Sequence, residues 1–275
     1  MGRFESKVAI VTGGASGIGR AICTQLAEKG TTVIAADINL VGAQETVKRI
    51  RKEGGVAEAV SLNVTDYDVI VNLFQRVKAQ YGRIDYLFNN AGTSVNGEFQ
   101  DIPQELWQRV IDVNLWGVVY GCQAVYPIMQ AQGFGHIINT ASLAGLIPGG
   151  LTSAYSASKH AVVGLSTTLR SEAREYGIQV SVFCPGVVQT PILHTAPNVT
   201  DYMNHPDNLA RNEKMNLPTP DQVVRPMLRD VLRNKGIILH PFKHRLYWWV
   251  HRAFPEFIPN MFHQVVRSLK KTAGV

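Results

Sequence analysis

Short apolar runs alternate with longer stretches of helical periodicity along almost the whole chain. Residues 7–12 (KVAIVT) form a Val- and Ile-rich run that ends in glycines, the pattern of a buried strand. Residues 17–29 then place Ile18, Ala21, Ile22, Gln25 and Leu26 at helical spacing, and Gly30 ends the helix. The alternation continues. Strands are predicted over 32–37, 56–62, 85–89, 136–140, 179–184 and 236–239. Helices are predicted over 41–53, 66–80 with Asp66 as cap, most of 104–132, 153–176 and 222–234. Short strands that are apolar on both faces, separated by long helices, imply a parallel sheet covered by helices, with right-handed crossovers. The expectation is one doubly wound α/β domain of about seven strands with helices on both faces. Two stretches look irregular, 185–218 and 240–262. The first is rich in Pro, Asn and His and is too long for a plain connection, which suggests a lid or else a disordered segment.

Composition narrows the class. The chain has 275 residues, 45% of them hydrophobic and 17% charged, which excludes disordered, collagenous and coiled-coil chains. Cys23, Cys122 and Cys184 are too few and too scattered for a disulfide framework or a Cys-based zinc site. They read as buried small hydrophobes of a reducing compartment. No apolar run reaches a membrane span, and a strand pattern starts at Lys7 with no signal-peptide core before it, so a cytoplasmic location is expected. The net charge of +6 is concentrated: residues 240–275 hold Lys243, Arg245, Arg252, Arg267, Lys270 and Lys271 against Glu256 alone. The body is close to neutral, so the charge does not argue for nucleic-acid binding.

Candidate chemistry begins at the turn after the first strand, Thr12-Gly13-Gly14-Ala15-Ser16-Gly17-Ile18-Gly19. Glycines at a strand-to-helix turn let backbone approach a pyrophosphate, and the helix N-terminus favours its charge. The alternative is a purely structural turn. Asp37 lies 24 residues after Gly13, at the end of the second strand, where a carboxylate accepts hydrogen bonds from ribose hydroxyls and repels a 2′-phosphate. No Lys or Arg follows it, so NAD(H) is expected rather than NADP(H). Otherwise Asp37 merely caps the next helix. A second constellation is Tyr155 and Lys159, four residues apart and so on one helix face, with Ser142 just past the strand that ends at Thr140. Tyrosine is a poor base at neutral pH, and a neighbouring ammonium favours tyrosinate. Alone, a Tyr-x-x-x-Lys pair is a common accident. The eight histidines show no ligand spacing with acids, are expected on the surface or in the lid, and imply no metal.

Together these residues resemble the short-chain dehydrogenase/reductase family in its classical form, over most of the chain from about Lys7 to Gly236. The motifs that carry the likeness are Thr12–Gly19, Asn89-Asn90-Ala91-Gly92, Asn114, Ser142, Tyr155, Lys159, Pro185-Gly186 and Thr190. The resemblance implies a Rossmann-type fold binding NAD along Gly13, Ser16, Gly17, Ile18, Gly19, Asp37, Asn63, Val64, Asn90, Ala91, Gly92, Pro185, Gly186, Val188 and Thr190, with Tyr155 and Lys159 at the nicotinamide end. Asn63 stands where many relatives carry Asp. In the implied chemistry Tyr155 is general acid and base and Ser142 orients the substrate oxygen. Lys159 lowers the tyrosine pKa and anchors the ribose, and Asn114 holds a relay water. A homodimer or homotetramer built through 104–132 and 153–176 is implied by the same analogy.

The variable parts bear on substrate. Residues 143–151 and the lid, about 187–217, are apolar, with Leu146, Ile147, Leu151, Val187, Ile192 and Leu193. With Ser142, Ala144, Leu151, Tyr155, Val187 and Ile192 as contacts, a lipophilic or bulky secondary alcohol or ketone is expected; otherwise these residues simply pack on the sheet. The basic, aromatic extension 241–275 is expected to cover the cleft or a subunit interface rather than a membrane surface. Pro255 and Pro259 should break any long helix there. Two other function classes stay open: a reductase of carrier-bound acyl chains, favoured by the basic tail and opposed by Asp37, and a non-catalytic NAD sensor or scaffold, opposed by the intact tetrad.

Overall fold

The computed structural model describes residues 4–213 and 216–275, so residues 214 and 215 of the expected lid lie outside the described residues. Seven parallel strands form one sheet in the order β3-β2-β1-β4-β5-β6-β7: β1 (Val8–Thr12), β2 (Thr32–Asp37), β3 (Ala57–Ser61), β4 (Tyr86–Asn89), β5 (Gly135–Thr140), β6 (Ile178–Pro185) and β7 (Ile237–His240). Strand order reverses between β1 and β4, which opens a crevice at the carboxyl ends of the strands. α1 (Gly17–Ala27), α2 (Leu40–Lys52), α3 (Tyr67–Tyr81), α4 (Gln104–Ile111), α5 (Gly117–Gln132) and α6 (Ser153–Ala173) connect the strands.

Alternation along each strand sends side chains into two cores. Ala9 and Val11 of β1 join Ile22, Leu26, Phe88 and Phe183 on one face. Val8 and Ile10 join Phe74, Val125, Met129 and Val162 on the other. Asp66 caps α3 by accepting from the Val69 N–H, and Gly82 and Gly133 end α3 and α5 in the left-handed region. The long stretch 104–132 is not one α-helix: residues Asp112–Trp116 form a π turn between α4 and α5. Such turns widen the helix, and periodicity in a sequence does not resolve them.

Both irregular stretches carry helices. α7 (Ile192–Thr195) and α8 (Pro206–Glu213) lie in the lid, and α9 (Pro220–Leu232) follows with a Thr219/Gln222 capping box. The tail folds into α10 (His244–Ala253) and α11 (Phe257–Thr272). Pro255 separates the two, and Pro259 sits in the first turn of α11, where no intrahelical N–H is lost. α11 packs on the lid. Lys270 pairs with Glu98 at 2.6 Å, Glu98 accepts from the Tyr202 hydroxyl at 2.9 Å, and Asn208 donates to the Leu269 carbonyl at 3.1 Å. No helix among the described residues is long and apolar enough to cross a membrane.

His136 departs from the expectation that the histidines lie on the surface or in the lid. It is buried in β5, and its Nε2 lies 2.8 Å from the Ser181 hydroxyl, which itself donates to the Lys235 carbonyl. Ser181 therefore accepts, and Nε2 carries the proton. Burial pushes the His136 pKa down to about 3. Between that value and the ordinary pKa near 6.5 the unfolded chain binds a proton that the folded chain does not, so stability falls as pH falls through this window. Urea unfolding at pH 7 and pH 5 should show this loss, at about 1.4 kcal/mol per pH unit for one such group, and His136→Gln should flatten the dependence.

Candidate active site

At the end of β1 the chain turns sharply into α1, and the turn excludes side chains. Gly13 has φ +71°, and a Cβ there would lie 2.9 Å from the Ala91 Cα. A Cβ on Gly19 would lie 1.9 Å from the Gly13 carbonyl oxygen. Gly19 thus serves by packing α1 onto the turn, beneath the cleft rather than in its wall. Ser16, the N-cap of α1, makes no side-chain capping bond, so the first-turn N–H groups are left for another acceptor. Opposite this turn, the Thr12 hydroxyl accepts from the backbone N–H groups of Asn90 and Ala91 at 3.0 and 3.1 Å, and the Asn90 amide donates to the Thr12 carbonyl at 3.1 Å. Asn89 turns inward to donate to Asn139 at 2.9 Å.

A cleft of about 780 Å³ runs along these strand ends. Gly13, Ser16, Gly17 and Ile18 form its floor, with Asn90, Ala91 and Gly92 beside them. Asp37, Asn63 and Val64 line it from the side of β2 and β3, and Tyr155, Lys159, Pro185, Thr190 and Ile192 from the side of β5 and β6. Asp37 does not cap α2, since Asn39 does so by accepting from the Gly42 N–H at 3.0 Å. Asp37 accepts from Ala15 N at 2.9 Å and from Asn39 N at 2.8 Å, one bond per oxygen, which leaves lone pairs for a ligand. Ile38, not a cation, follows it. The Asn63 side-chain oxygen Oδ1 is held locally by Thr65, accepting from its N–H and its hydroxyl. A glycine-lined floor, an uncapped helix N-terminus and a carboxylate at one end fit a nicotinamide dinucleotide.

Tyr155 and Lys159 project from α6, one turn apart. Ser142 follows β5 and opens the turn Leu143–Gly145; its hydroxyl accepts from the Ala144 N–H and hydrogen-bonds the Tyr155 phenol. Lys159, 3% exposed, donates to the Thr140 carbonyl at 2.9 Å, and its ammonium lies 5.6 Å from the centre of the Tyr155 ring. Asn114, in the π turn, donates to the Thr93 carbonyl at 2.9 Å and the Ser158 hydroxyl at 3.0 Å, and accepts from the Thr93 N–H at 2.8 Å. That leaves one amide lone pair, on the side of Gly92 and Lys159, for the expected relay water.

Burial lowers the Lys159 pKa to about 8 and raises that of Tyr155 above the usual phenol range. The expected depression of the tyrosine by Lys159 is therefore not what the protein groups produce. Desolvation dominates, and the Ser142 hydrogen bond is the contribution that opposes it.

Several expected contacts fall elsewhere. Val188 is buried in the core beneath α9. Val187 is exposed, and Gly186 lies under the His244 ring, where a Cβ would be 1.9 Å from its Cε1. Leu151, at φ +60°, lines a separate cavity of about 150 Å³ with Met203, Phe262 and Val266 of the lid and α11. Sequence reasoning passed over Thr140, whose carbonyl holds Lys159 and whose buried hydroxyl has no partner, and Ser158, which ties Asn114 to α6 by donating to the Tyr155 carbonyl at 2.7 Å. Its place at the carboxyl end of a predicted strand, beside the site, was the available signal for Thr140.

A family model described as short chain dehydrogenase matches residues 7–199. The chain belongs to the short-chain dehydrogenase family. It is 38% identical over 195 residues to the 3-oxoacyl-[acyl-carrier-protein] reductase FabG of Thermotoga maritima, covering 71% of this chain and 79% of the relative. It is also 38% identical over 193 residues to a cyclohexanol dehydrogenase of Acinetobacter sp., covering 70% and 76%. Among solved structures, a short-chain dehydrogenase/reductase from Burkholderia phymatum in complex with NAD superposes with a TM-score of 0.82 at 29% identity, covering 93% of this chain and 96% of that one. Short-chain dehydrogenases are oxidoreductases that use a nicotinamide cofactor and small-molecule substrates.

In this dehydrogenase the cleft depends on Thr12. Thr12→Val keeps the shape and removes the oxygen, leaving two N–H groups unpaired. Urea unfolding should show a loss of about 1–3 kcal/mol, with weaker NADH binding by fluorescence titration.

Proposed function

We propose that this protein is an NAD(H)-dependent dehydrogenase or reductase that interconverts a lipophilic secondary alcohol and its ketone. The carrying observation is the placement of Tyr155 and Lys159 on one wall of a cleft whose other end presents Asp37, with Ser142 hydrogen-bonded to Tyr155. The nicotinamide, when bound, accepts or supplies the hydride. Gly13, Ser16, Gly17 and Ile18 hold the pyrophosphate through backbone groups, and Asp37 accepts from the adenosine ribose hydroxyls. Ser142 holds the substrate oxygen against Tyr155. In oxidation the Tyr155 phenolate takes the alcohol proton; in reduction the phenol donates it. Lys159, fixed by the Thr140 carbonyl, presents its ammonium to the tyrosine and the nicotinamide ribose. Asn114, through Ser158, holds α6 in register with the loop after β4. Pro191 and Ile192 of the lid, which line the cleft beside Tyr155 and Lys159, favour a lipophilic substrate.

A second reading, a reductase of carrier-bound acyl chains, is favoured by the similarity to FabG and by the basic tail. Asp37 weighs against it, because it disfavours the phosphorylated cofactor that reductive synthesis commonly draws on. A cytoplasmic homodimer or homotetramer completes the proposal.

The deciding experiment follows NADH formation with a panel of secondary alcohols from short chains to steroids, with NADP⁺ in parallel. Turnover that prefers NAD⁺ is expected, and a preference for NADP⁺ would move the acyl reductase ahead. Tyr155→Phe should lower kcat roughly 10²–10⁴-fold with the fold intact. Because burial raises the Tyr155 pKa, alcohol oxidation should rise toward alkaline pH as the phenolate forms, while ketone reduction falls over the same range. Asp37→Ala should weaken NAD⁺ binding roughly 10- to 100-fold by removing charge-assisted hydrogen bonds, and narrow the gap to NADP⁺.

A further inference from the structure

The tail helix α10 is turned inside out relative to an ordinary surface helix. Its inner face is polar or mixed. His244 lies on Gly186, Trp248 packs against the core, and the His251 Nδ1 is buried. Its outer face is apolar. Leu246 and Trp249, three residues apart and so on one helix face, are exposed, and Phe242, Phe254 and Phe257 are exposed just before and just after the helix. These five side chains are between 58% and 69% exposed. A soluble monomer usually turns such a stripe toward its core, and a contiguous exposed patch marks an interaction surface.

The charge around the patch indicates what covers it. Lys243, Arg245 and Arg252 flank the apolar residues, and none of them has a carboxylate within salt-bridge distance among the described residues. The guanidinium of Arg245 sits 4.9 Å from the Phe242 ring centre, and that of Arg252 sits 5.5 and 5.9 Å from those of Trp248 and Trp249. A two-fold contact between copies through this patch would set the three cations against their own counterparts, with Glu256 the one carboxylate in residues 240–275. An anionic surface instead pairs the cations while the rings enter the boundary between headgroups and acyl chains. At ten residues, about 15 Å, α10 is far too short to span a bilayer, so it would lie in the interfacial plane.

We propose that α10 with its flanking aromatics is a docking surface for an anionic lipid bilayer, held by Lys243, Arg245 and Arg252 and by shallow insertion of Phe242, Leu246, Trp249, Phe254 and Phe257. The surface belongs to the cleft's end of the sheet: α10 follows the carboxyl end of β7, where His240 pairs with Pro185, and His244 covers Gly186. Docking brings the substrate side of the cleft toward the phase in which an apolar substrate is concentrated. The inference stands apart from the reaction proposed above, because it is read without turnover.

The test is sedimentation of the full-length protein with sucrose-loaded vesicles of phosphatidylcholine alone or with about 30% phosphatidylglycerol. The protein should pellet with the phosphatidylglycerol vesicles, and binding should weaken as salt rises. Lys243→Gln/Arg245→Gln/Arg252→Gln should weaken binding about tenfold or more, and Leu246→Gln/Trp249→Gln should abolish it. Circular dichroism and NADH binding should be unchanged in both variants, whose side chains lie outside the cleft. In the wild type, quenching of tryptophan fluorescence by brominated lipid gives a readout that needs no variant. Failure to bind phosphatidylglycerol vesicles, or equal binding by both variants, would overturn the proposal. So would light scattering that shows an oligomer dissociating in Leu246→Gln/Trp249→Gln, since the patch would then be a contact between copies.

Discussion

One hydroxyl holds the two halves of the cleft together. β1 and β4 diverge in their connections, α1 leaving on one side of the sheet and the loop after Asn89 on the other, and the crevice between them is the binding site. The Thr12 oxygen receives two backbone N–H groups across this divide, and the Asn90 amide returns a bond to the Thr12 carbonyl. The Gly13–Gly19 contact sets how closely α1 approaches, and the Asn89–Asn139 bond carries the alignment one strand further to β5. Lys159 then hangs from the last carbonyl of β5. A chain of short polar contacts thus runs from the phosphate turn to the tetrad, in a sheet whose other neighbours are almost all apolar.

The same economy governs the electrostatics. Lys159 is buried among neutral partners, a carbonyl and the face of a phenol ring, with no carboxylate paired to it among the described residues. Its pKa drops toward neutrality as a result, while that of Tyr155 climbs. Both groups are poised away from their charged forms, in opposite directions on the pH scale. A positively charged ring bound beside them favours the phenolate, so in the proposed reaction the bound cofactor adjusts the base that serves it.

Much of this was legible in the sequence because its causes are local. Val- and Ile-rich runs between glycines became strands within a residue or two, since a strand buried on both faces has little choice of composition. The glycine turn, Asp37 and the Tyr155–Lys159 spacing each encode one backbone or side-chain requirement. What escaped depended on partners far along the chain. His136 looked like a surface residue until Ser181, 45 positions away, gave it a hydrogen bond in the core. Val188 was implied as a cofactor contact by the family resemblance, yet its side chain is buried in the core with residues of α9. The tail looked irregular because its prolines suggested breaks, whereas one falls between two helices and the other in a first turn, where proline is harmless. The π turn that carries Asn114 leaves no periodic trace at all.

The latch of Lys270 onto Glu98 has a bearing on the order in which the protein is made. Every residue proposed to contact the first half of a dinucleotide, from Gly13 to Gly92, lies in roughly the first third of the chain and can pair as soon as β1, β2 and β4 have left the ribosome. The wall around Leu151 and Met203 is different. It is closed by Phe262 and Val266 of α11, which the Lys270–Glu98 pair helps hold and which follows far later in the chain. During synthesis the nucleotide half can therefore form while the cavity around Leu151 is still open to solvent, and that cavity closes only once α11 has been made.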